Sequence, residues 1–262
     1  MIKNMQRVLF HSTVFGPIHS RRLGSSLGIN LSPVDGKTCT FDCLYCEAGF
    51  NSQGAGSSGL PSRDQTAIML EDKLKDMRSD GQTLDTITFS GNGEPTLHPE
   101  FAGIVDDTLL LRDRYFPDAV VSVLCNSTRL DKEDVVSALM KVDNAILKLD
   151  SAVDSTMRQI DRPTSAGFNT AWLIDRLKMF GDKAIIQTMF LRGEYEGIIV
   201  DNTTDKEVGA LLDAYCQIKP REVMIYSMDR KTPARDLQKV SIAELEAIAA
   251  KVRAEGIRVQ VN

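Results

Sequence analysis

Short apolar runs alternate with segments of helical period along almost the whole chain, and this alternation is what most limits the fold. The runs are SLGINL (26–31), TITFS (86–90), AVVSVLC (119–125), NAILKLD (144–150), KAIIQTMF (183–190) and EVMIYSM (222–228). Each is short, apolar and bounded by turn formers, as a buried strand is. Helical signals fill the gaps. TAIMLEDKLKDM places apolar residues at 68, 70, 74 and 77, and a helix over 99–112 starts at Pro99 with Glu100 in its first turn. Another runs from about Lys132 to Met140 with Asp131 as N-cap, followed by helical segments near 154–160 and 168–180. Thr203 and Thr204 are capping candidates for a helix over 205–217, and Ser241 and Glu244 stand in capping-box spacing at the head of 241–256. IRVQV near the end reads as a terminal strand. Six strands, each followed by a helix, require parallel pairing with right-handed crossovers. An open doubly wound sheet and a barrel of fewer than eight units both satisfy that pattern.

The length of 262 residues suits one α/β domain of this kind, and 42% hydrophobic against 26% charged residues is ordinary globular composition. Disordered and fibrous readings are excluded. The net charge of −5 argues against an extensive nucleic-acid footprint. No apolar run approaches the ~20 residues that span a bilayer. The N-terminal stretch lacks a signal-peptide pattern, so a cytoplasmic location and no membrane partner are expected.

Three of the five cysteines, Cys39, Cys43 and Cys46, fall within Cys39-Thr-Phe-Asp-Cys43-Leu-Tyr-Cys46, directly after the first strand and its turn. In a reducing compartment such a cluster reads as metal or redox chemistry before disulfides. A closed zinc site needs a fourth ligand, for which His98 is the nearest downstream candidate. An iron–sulfur cluster on three thiolates leaves one iron open to a small molecule. The segment GFNSQGAGSSGLPS (49–62) that follows is expected to be a mobile loop that does not pack.

A second informative stretch, SGNGEPTLHPE, begins at the end of the second strand. Gly91, Asn92, Gly93 and Glu94 therefore lie at the carboxyl edge of the sheet, where α/β proteins place ligands. Two glycines permit close backbone approach, and Glu94 offers a charge-assisted acceptor to an ammonium. Asn126, Lys148, Asp150 and Gln187 stand at later strand ends. Lys148 and Asp150 share one side of their strand. Ligand contact and an internal ion pair are both consistent with that placement.

The cysteine spacing, with Tyr45 before its last cysteine and a strand ending in Gly91-Asn92-Gly93-Glu94-Pro95, resembles the radical S-adenosylmethionine (radical SAM) superfamily. SRRLGSSLGINL, KTCTFDCLYCEAG and SGNGEPTLHPE are similar to its bacterial wyosine-synthase-like branch. The resemblance implies a partial (β/α)6 TIM-like barrel in a single domain, with residues 1–25 as an N-terminal segment and 26–262 as the barrel. It implies that Cys39, Cys43 and Cys46 hold a [4Fe–4S] cluster whose fourth iron takes the amino and carboxylate groups of S-adenosylmethionine (SAM). Gly91 to Glu94 would hold the methionine amino group, Tyr45 would sit near the adenine, and Asn126, Lys148, Asp150 and Gln187 would contact ribose or carboxylate. The implied reaction is reductive cleavage of SAM to a 5′-deoxyadenosyl radical that abstracts hydrogen from a small molecule or an RNA nucleoside.

No further cysteine set accompanies the first, so one cluster is expected, fed by a separate flavodoxin- or ferredoxin-type donor. Two other readings stay open: an activase that makes a glycyl radical in a partner protein, and a non-catalytic iron–sulfur or zinc protein. Arg21, Arg22 and Arg162 are candidate anion binders. Cys125 is a candidate substrate contact, whereas Cys216, His11 and His19 have no motif partners, and Met189, Met224 and Met228 read as ordinary strand residues.

Overall fold

The computed structural model describes residues 7–20, 24–230 and 232–262. Strands β1 (Val14–Ser20), β2 (Gly24–Ile29), β3 (Thr86–Phe89), β4 (Val120–Cys125), β5 (Asn144–Lys148), β6 (Ala184–Met189), β9 (Glu222–Tyr226) and β11 (Val259–Val261) form one sheet in the order β1-β2-β3-β4-β5-β6-β9-β11. From β2 to β11 every pairing is parallel, and only β1 runs antiparallel to its neighbour. Helices α1 (Arg63–Ser79), α2 (Phe101–Tyr115), α3 (Glu133–Lys141), α4 (Asp154–Ile160), α5 (Thr170–Lys178), α6 (Asp205–Ile218) and α7 (Ile242–Ala254) carry the crossovers. The six expected βα units are therefore present with strands in chain order. This is a partial TIM-like barrel, and among the described residues no pairing closes β1 onto β11.

Alternate residues of a strand face opposite sides of a sheet, and the two sides here differ in chemistry. Ile87, Phe89, Val121, Val123, Leu147, Ile186, Val223 and Ile225 belong to the main core with the helix residues Leu70, Leu74, Met77, Ile104 and Leu139. The opposite side is layered along the strands. At its amino end Ser26 and Thr88 hydroxyls meet at 2.9 Å, Thr86 and Ser122 at 3.0 Å, and Asn144 donates to the Ser122 hydroxyl. Ile146, Ile185 and Met224 form an apolar layer above them. Two residues further along, the same face carries Lys148, Gln187 and Tyr226, so the alternation itself delivers polar groups to the carboxyl edge.

Three sequence expectations change, and a hairpin stands where none was expected. Asp131 does not cap α3: Lys132 holds the N-cap position without a side-chain cap, and Asp131 pairs with the Lys132 ammonium at 3.0 Å. The helix expected from Pro99 begins at Phe101, after a 3-10 turn over Pro95–Leu97. Residues 49–62 are not a free loop. Phe50 is buried, the Gly54 carbonyl accepts from Lys37 N, and Asp35 accepts from Ser57 N and Ser58 N, so the segment is stitched to the turn before the cysteines. Finally, β7 (Leu191–Tyr195) and β8 (Ile198–Asp201) form an antiparallel hairpin that β10 (Leu237–Lys239) extends into a second, three-stranded sheet. Its two-residue turn, Glu196-Gly197, has positive φ at both positions (52° and 79°), the geometry that matches strand twist in a tight hairpin.

Candidate active site

The cysteine loop is pinned by the residues between its cysteines. Phe41 and Leu44 are buried in the core, Asp42 N donates to the Asp161 carbonyl and Leu44 N to the Ile160 carbonyl, tying the loop to the end of α4. Cys43 is left buried, and Cys39 and Cys46 half-buried. Burial pushes the Cys39 thiol up to about 11, with nearby Glu94 adding to the effect, and holds the Cys43 thiol well above its ordinary range. Thiolates at these positions therefore need positive charge brought to them. Lys37 supplies part of it: its side chain is 1% exposed, and its ammonium donates to the Gly49 carbonyl at 2.8 Å and faces Asp42 at 3.5 Å. Burial opposes that charge, but the three cysteine sulfurs and Asp42 outweigh it and raise the Lys37 pKa. Sequence reasoning missed Lys37, although it precedes the first cysteine by only two residues.

Among the described residues, no three Cys, His, Asp or Glu side chains are grouped as a single metal ion would require. His98 is no fourth ligand either, since its Nε2 lies 2.7 Å from the Pro61 carbonyl and its Nδ1 accepts from Glu100 N. Three thiols on one loop, spaced apart and compensated by a buried ammonium, suit an iron–sulfur cluster, whose irons each take a separate sulfur, better than a zinc ion.

The glycine-rich strand end lies against this loop. Thr38 bridges Gly93 in parallel, Thr38 N donates to the Asn92 carbonyl, and Glu94 N donates back to the Thr38 carbonyl. A Cβ on Gly93 would sit 1.9 Å from that carbonyl oxygen, so the cysteine loop requires glycine there. Asn92 is fully buried and bonded throughout: its Oδ1 accepts from Phe10 N and its Nδ2 donates to the Phe10 and Pro33 carbonyls. Its side chain is a clip for the N-terminal segment. Glu94 is buried, accepting from Thr96 N, the Thr96 hydroxyl and Asn126 N at 2.6 Å. Burial raises its pKa, and these donors only partly offset it. Asn126 reaches on to the cysteine loop, with Nδ2 2.9 Å from Thr40 Oγ1 and 3.5 Å from Cys39 Sγ.

Lys148 and Asp150 pair at 3.0 Å, and both hydrogen-bond the Tyr45 hydroxyl. Asp161, which sequence reasoning also missed, stands 4.0 Å from the Lys148 ammonium and accepts from the Cys43 thiol at 3.5 Å. Burial and the neighbouring Asp150 push the Asp161 carboxyl well up, whereas Asp150 and the Cys43 sulfur outweigh burial and hold Lys148 charged. The internal ion pair is therefore present, and it locks the Tyr45 ring beside Cys46. Gln187 is buried at the register position opposite Lys148.

A cavity of about 480 Å³ opens at this edge, lined by Tyr45, Cys46, Gly91 and Gly93 on one side and by Met189, Tyr226, Met228 and Arg230 on the other. Met189 and Met228, read from sequence as ordinary strand residues, thus face the cavity, as does His19 from β1. Met224 stays in the apolar layer beneath. Arg162 is structural, stacked over Phe50 and Tyr195 with its guanidinium 3.6 Å from Asp42. Cys125 is buried and its thiol accepts from Ser127 N, Cys216 is exposed on α6, and His11 faces the Val34 carbonyl. Arg21 and Arg22 lie outside the described residues.

The sequence pattern of the Radical SAM superfamily matches residues 34–215, from the turn before the cysteines into α6. The chain belongs to the radical SAM superfamily. The cofactors of that family are a [4Fe–4S] cluster and SAM. A UPF0026 protein of Synechocystis sp. is 30% identical over 226 residues, covering 84% of this chain and 77% of that protein. A protein of Brachyspira hyodysenteriae named GTPase Obg is 29% identical over 237 residues, covering 89% of this chain but only 32% of that protein. The chain thus spans about a third of that relative's length. Among solved structures, a radical SAM methyltransferase from Sphaerobacter thermophilus superposes with a TM-score of 0.67 at 14% identity, covering 90% of this chain and 65% of the other. TYW1 with a lysine–pyruvate adduct bound superposes at 0.56 and 13% identity, covering 89% and 75%. Both share the fold. Radical SAM enzymes take their electrons from an external reductant, and among the described residues no helix is long and apolar enough to cross a membrane.

Proposed function

We propose that this chain carries out hydrogen abstraction at one [4Fe–4S] cluster held by Cys39, Cys43 and Cys46, on a small molecule or an RNA nucleoside admitted to the cavity at the carboxyl edge. The observation that carries the reading is that Tyr45 and Cys46 of the cysteine loop, and Gly91 and Gly93 of the strand end, line the same cavity. When bound, cluster and SAM supply a one-electron cleavage that yields methionine and a 5′-deoxyadenosyl radical.

The chain's own residues do the positioning. Gly91 and Gly93 let Asn30 and the cysteine loop pack against the strand end that forms one wall of the cavity, and the buried Glu94 carboxyl behind them favours a cationic amino group, which would hold it ionised. Asn126 joins Glu94 to Cys39, so the amino-group wall and the cluster loop move as one body. Lys148 and Asp150 hold the Tyr45 hydroxyl, Asp161 accepts from the Cys43 thiol, and the Lys148 ammonium favours negative charge on the Cys43 sulfur. Met189 and Met228 add flexible apolar side chains to the lining of the cavity.

Anaerobic reconstitution with iron and sulfide, then dithionite and SAM, tests the reading. Wild-type protein is expected to release 5′-deoxyadenosine, and Cys43→Ala to bind no cluster while keeping its far-UV circular dichroism. A brown, loaded protein that makes none, or Cys43→Ala with parental iron content, refutes it.

A further inference from the structure

The sulfurs of the cysteine loop are not treated alike by the residues around them. Cys39 Sγ accepts two hydrogen bonds, from Phe41 N at 3.4 Å and from Asn126 Nδ2 at 3.5 Å, ordinary lengths for an acceptor as large as sulfur. The Cys43 thiol instead donates to Asp161. Of the two donors to Cys39, Phe41 N belongs to the loop itself. Asn126 comes from another element, just past the end of β4 and 87 positions along the chain.

The Asn126 side chain is held in this direction from every side. The residue is buried, and its Oδ1 accepts from Thr128 N at 3.0 Å and from the Thr128 hydroxyl at 2.8 Å. A backbone N–H donates and does not accept, so the amide oxygen faces Thr128 and the NH2 group faces the cysteine loop. One amide hydrogen goes to Thr40 Oγ1 at 2.9 Å and the other to Cys39 Sγ. The Thr40 and Thr128 hydroxyls meet at 2.6 Å, which closes a ring. In it Asn126 donates to Thr40, Thr40 to Thr128, and Thr128 back to Asn126, a sense of donation in which each bond polarises the next. Both lone pairs of the amide oxygen and both amide hydrogens are thereby used, and Asn126 does not line the cavity at the carboxyl edge. Its amide is directed at the cysteine ligand and not at a molecule in the cavity.

We propose that Asn126 is a positioning residue that sets the reduction potential of the cluster through Cys39. The inference rests on the cysteine loop being the cluster site. Reduction adds one electron, from dithionite in the test below, and makes or breaks no bond. Part of the added charge falls on the ligand sulfurs. An N–H aimed at a sulfur favours the more negative state and so raises the potential, hydrogen bonds to sulfur being among the factors that spread the potentials of such clusters.

The test uses the full chain, reconstituted anaerobically without SAM and titrated with dithionite while the EPR signal of the reduced cluster is followed. Asn126→Ala is expected to bind parental iron but to lower the ratio of reduced to oxidised cluster about threefold at a fixed potential, a midpoint about 30 mV more negative at about 59 mV per tenfold for one electron. Ser241→Ala, which removes the N-cap of α7 at the other end of the sheet, controls for lost stability and is expected to keep the parental midpoint. Pulsed EPR on wild type labelled with ¹⁵N in its asparagine side chains gives a readout that does not depend on the variant folding. The reduced cluster is expected to show a ¹⁵N coupling, absent from loaded Asn126→Ala. Asn51, another asparagine amide at the loop, gives its hydrogens to the Cys39 and Phe41 carbonyls and not to sulfur. A parental midpoint in Asn126→Ala, or no ¹⁵N coupling in wild type, overturns the proposal. Failure of wild type to take up a cluster at all instead overturns the proposed function, so the two failures are distinct.

Discussion

Lys37 shows how much one residue's chemistry depends on the fold around it. In the sequence it is a lysine beside a turn, a position usually exposed. In the structure its stem is enclosed and its ammonium caps the Gly49 carbonyl, faces Asp42 and balances three cysteines. A buried charge of this kind is retained only where partners compensate its desolvation. Lys37→Met keeps the stem's volume but leaves the Gly49 carbonyl without its donor. The expected loss is about 1–3 kcal/mol, the cost of an unsatisfied buried acceptor. It should appear as a lower urea midpoint with unchanged slope, together with reduced iron content after reconstitution. A midpoint and iron content equal to the parent's would mean that the ammonium neither holds the loop nor offsets the thiolates.

At the scale of elements, α7 offers a pH test of its own start signal. Ser241 and Glu244 form the capping box expected from their spacing, and Glu244 also pairs with Arg192 of β7 at 2.7 Å. The Ser241 hydroxyl and backbone N–H, then Arg192, lower the Glu244 carboxyl from 4.5 to about 2. Between those values the unfolded chain binds the proton that the folded chain refuses, so stability rises with pH through this window and is lost as pH falls through it. Glu244→Gln is expected to flatten the acid limb between about pH 4.5 and 2 in a melting-temperature profile, leaving the profile above it parallel to wild type. An acid limb identical to the parent's would remove Glu244 from the cap.

The same helix shows what the sequence makes legible. Caps and period-two runs are local, and the strands of the six βα units are legible to within a residue or two because burial on the helix side demands apolar residues, whereas β1 and β10 leave no such signal. The hairpin of β7 and β8 was missed because its residues are half-exposed and mixed in polarity, leaving only Glu196-Gly197 as a sign. The Gly/Ser-rich segment misled because composition records propensity, whereas its packing comes from Asp35 and Lys37, residues outside it. The site divides the same way. The cysteines and the glycine strand end are compact in sequence, but Asp161 meets Cys43 from 118 positions away, and Met189 and Met228 are recognisable only once the cavity exists.

For the whole molecule, the decisive feature is that the cysteine loop stands between two cavities at the carboxyl edge of an unclosed sheet, the one described above and one of about 390 Å³ lined by Thr40, Arg129, Phe168 and Trp172. If SAM occupies only the first, its binding free energy must be coupled to the segments that line it and not to those behind the loop. Hydrogen exchange on cluster-loaded protein reads this directly. At a SAM concentration 100 times its dissociation constant, linkage stabilises the bound form by about 2.7 kcal/mol, which slows exchange through openings that expel the ligand about a hundredfold. Peptides over 45–49, 90–93 and 226–230, which include residues of the first cavity, are expected to show that slowing. Peptides over 163–172, which line the second, are expected to exchange at unchanged rates, since they share no lining residue with the first. Protection of 163–172 with none over 226–230 would place SAM behind the loop and refute the assignment of SAM to the first cavity.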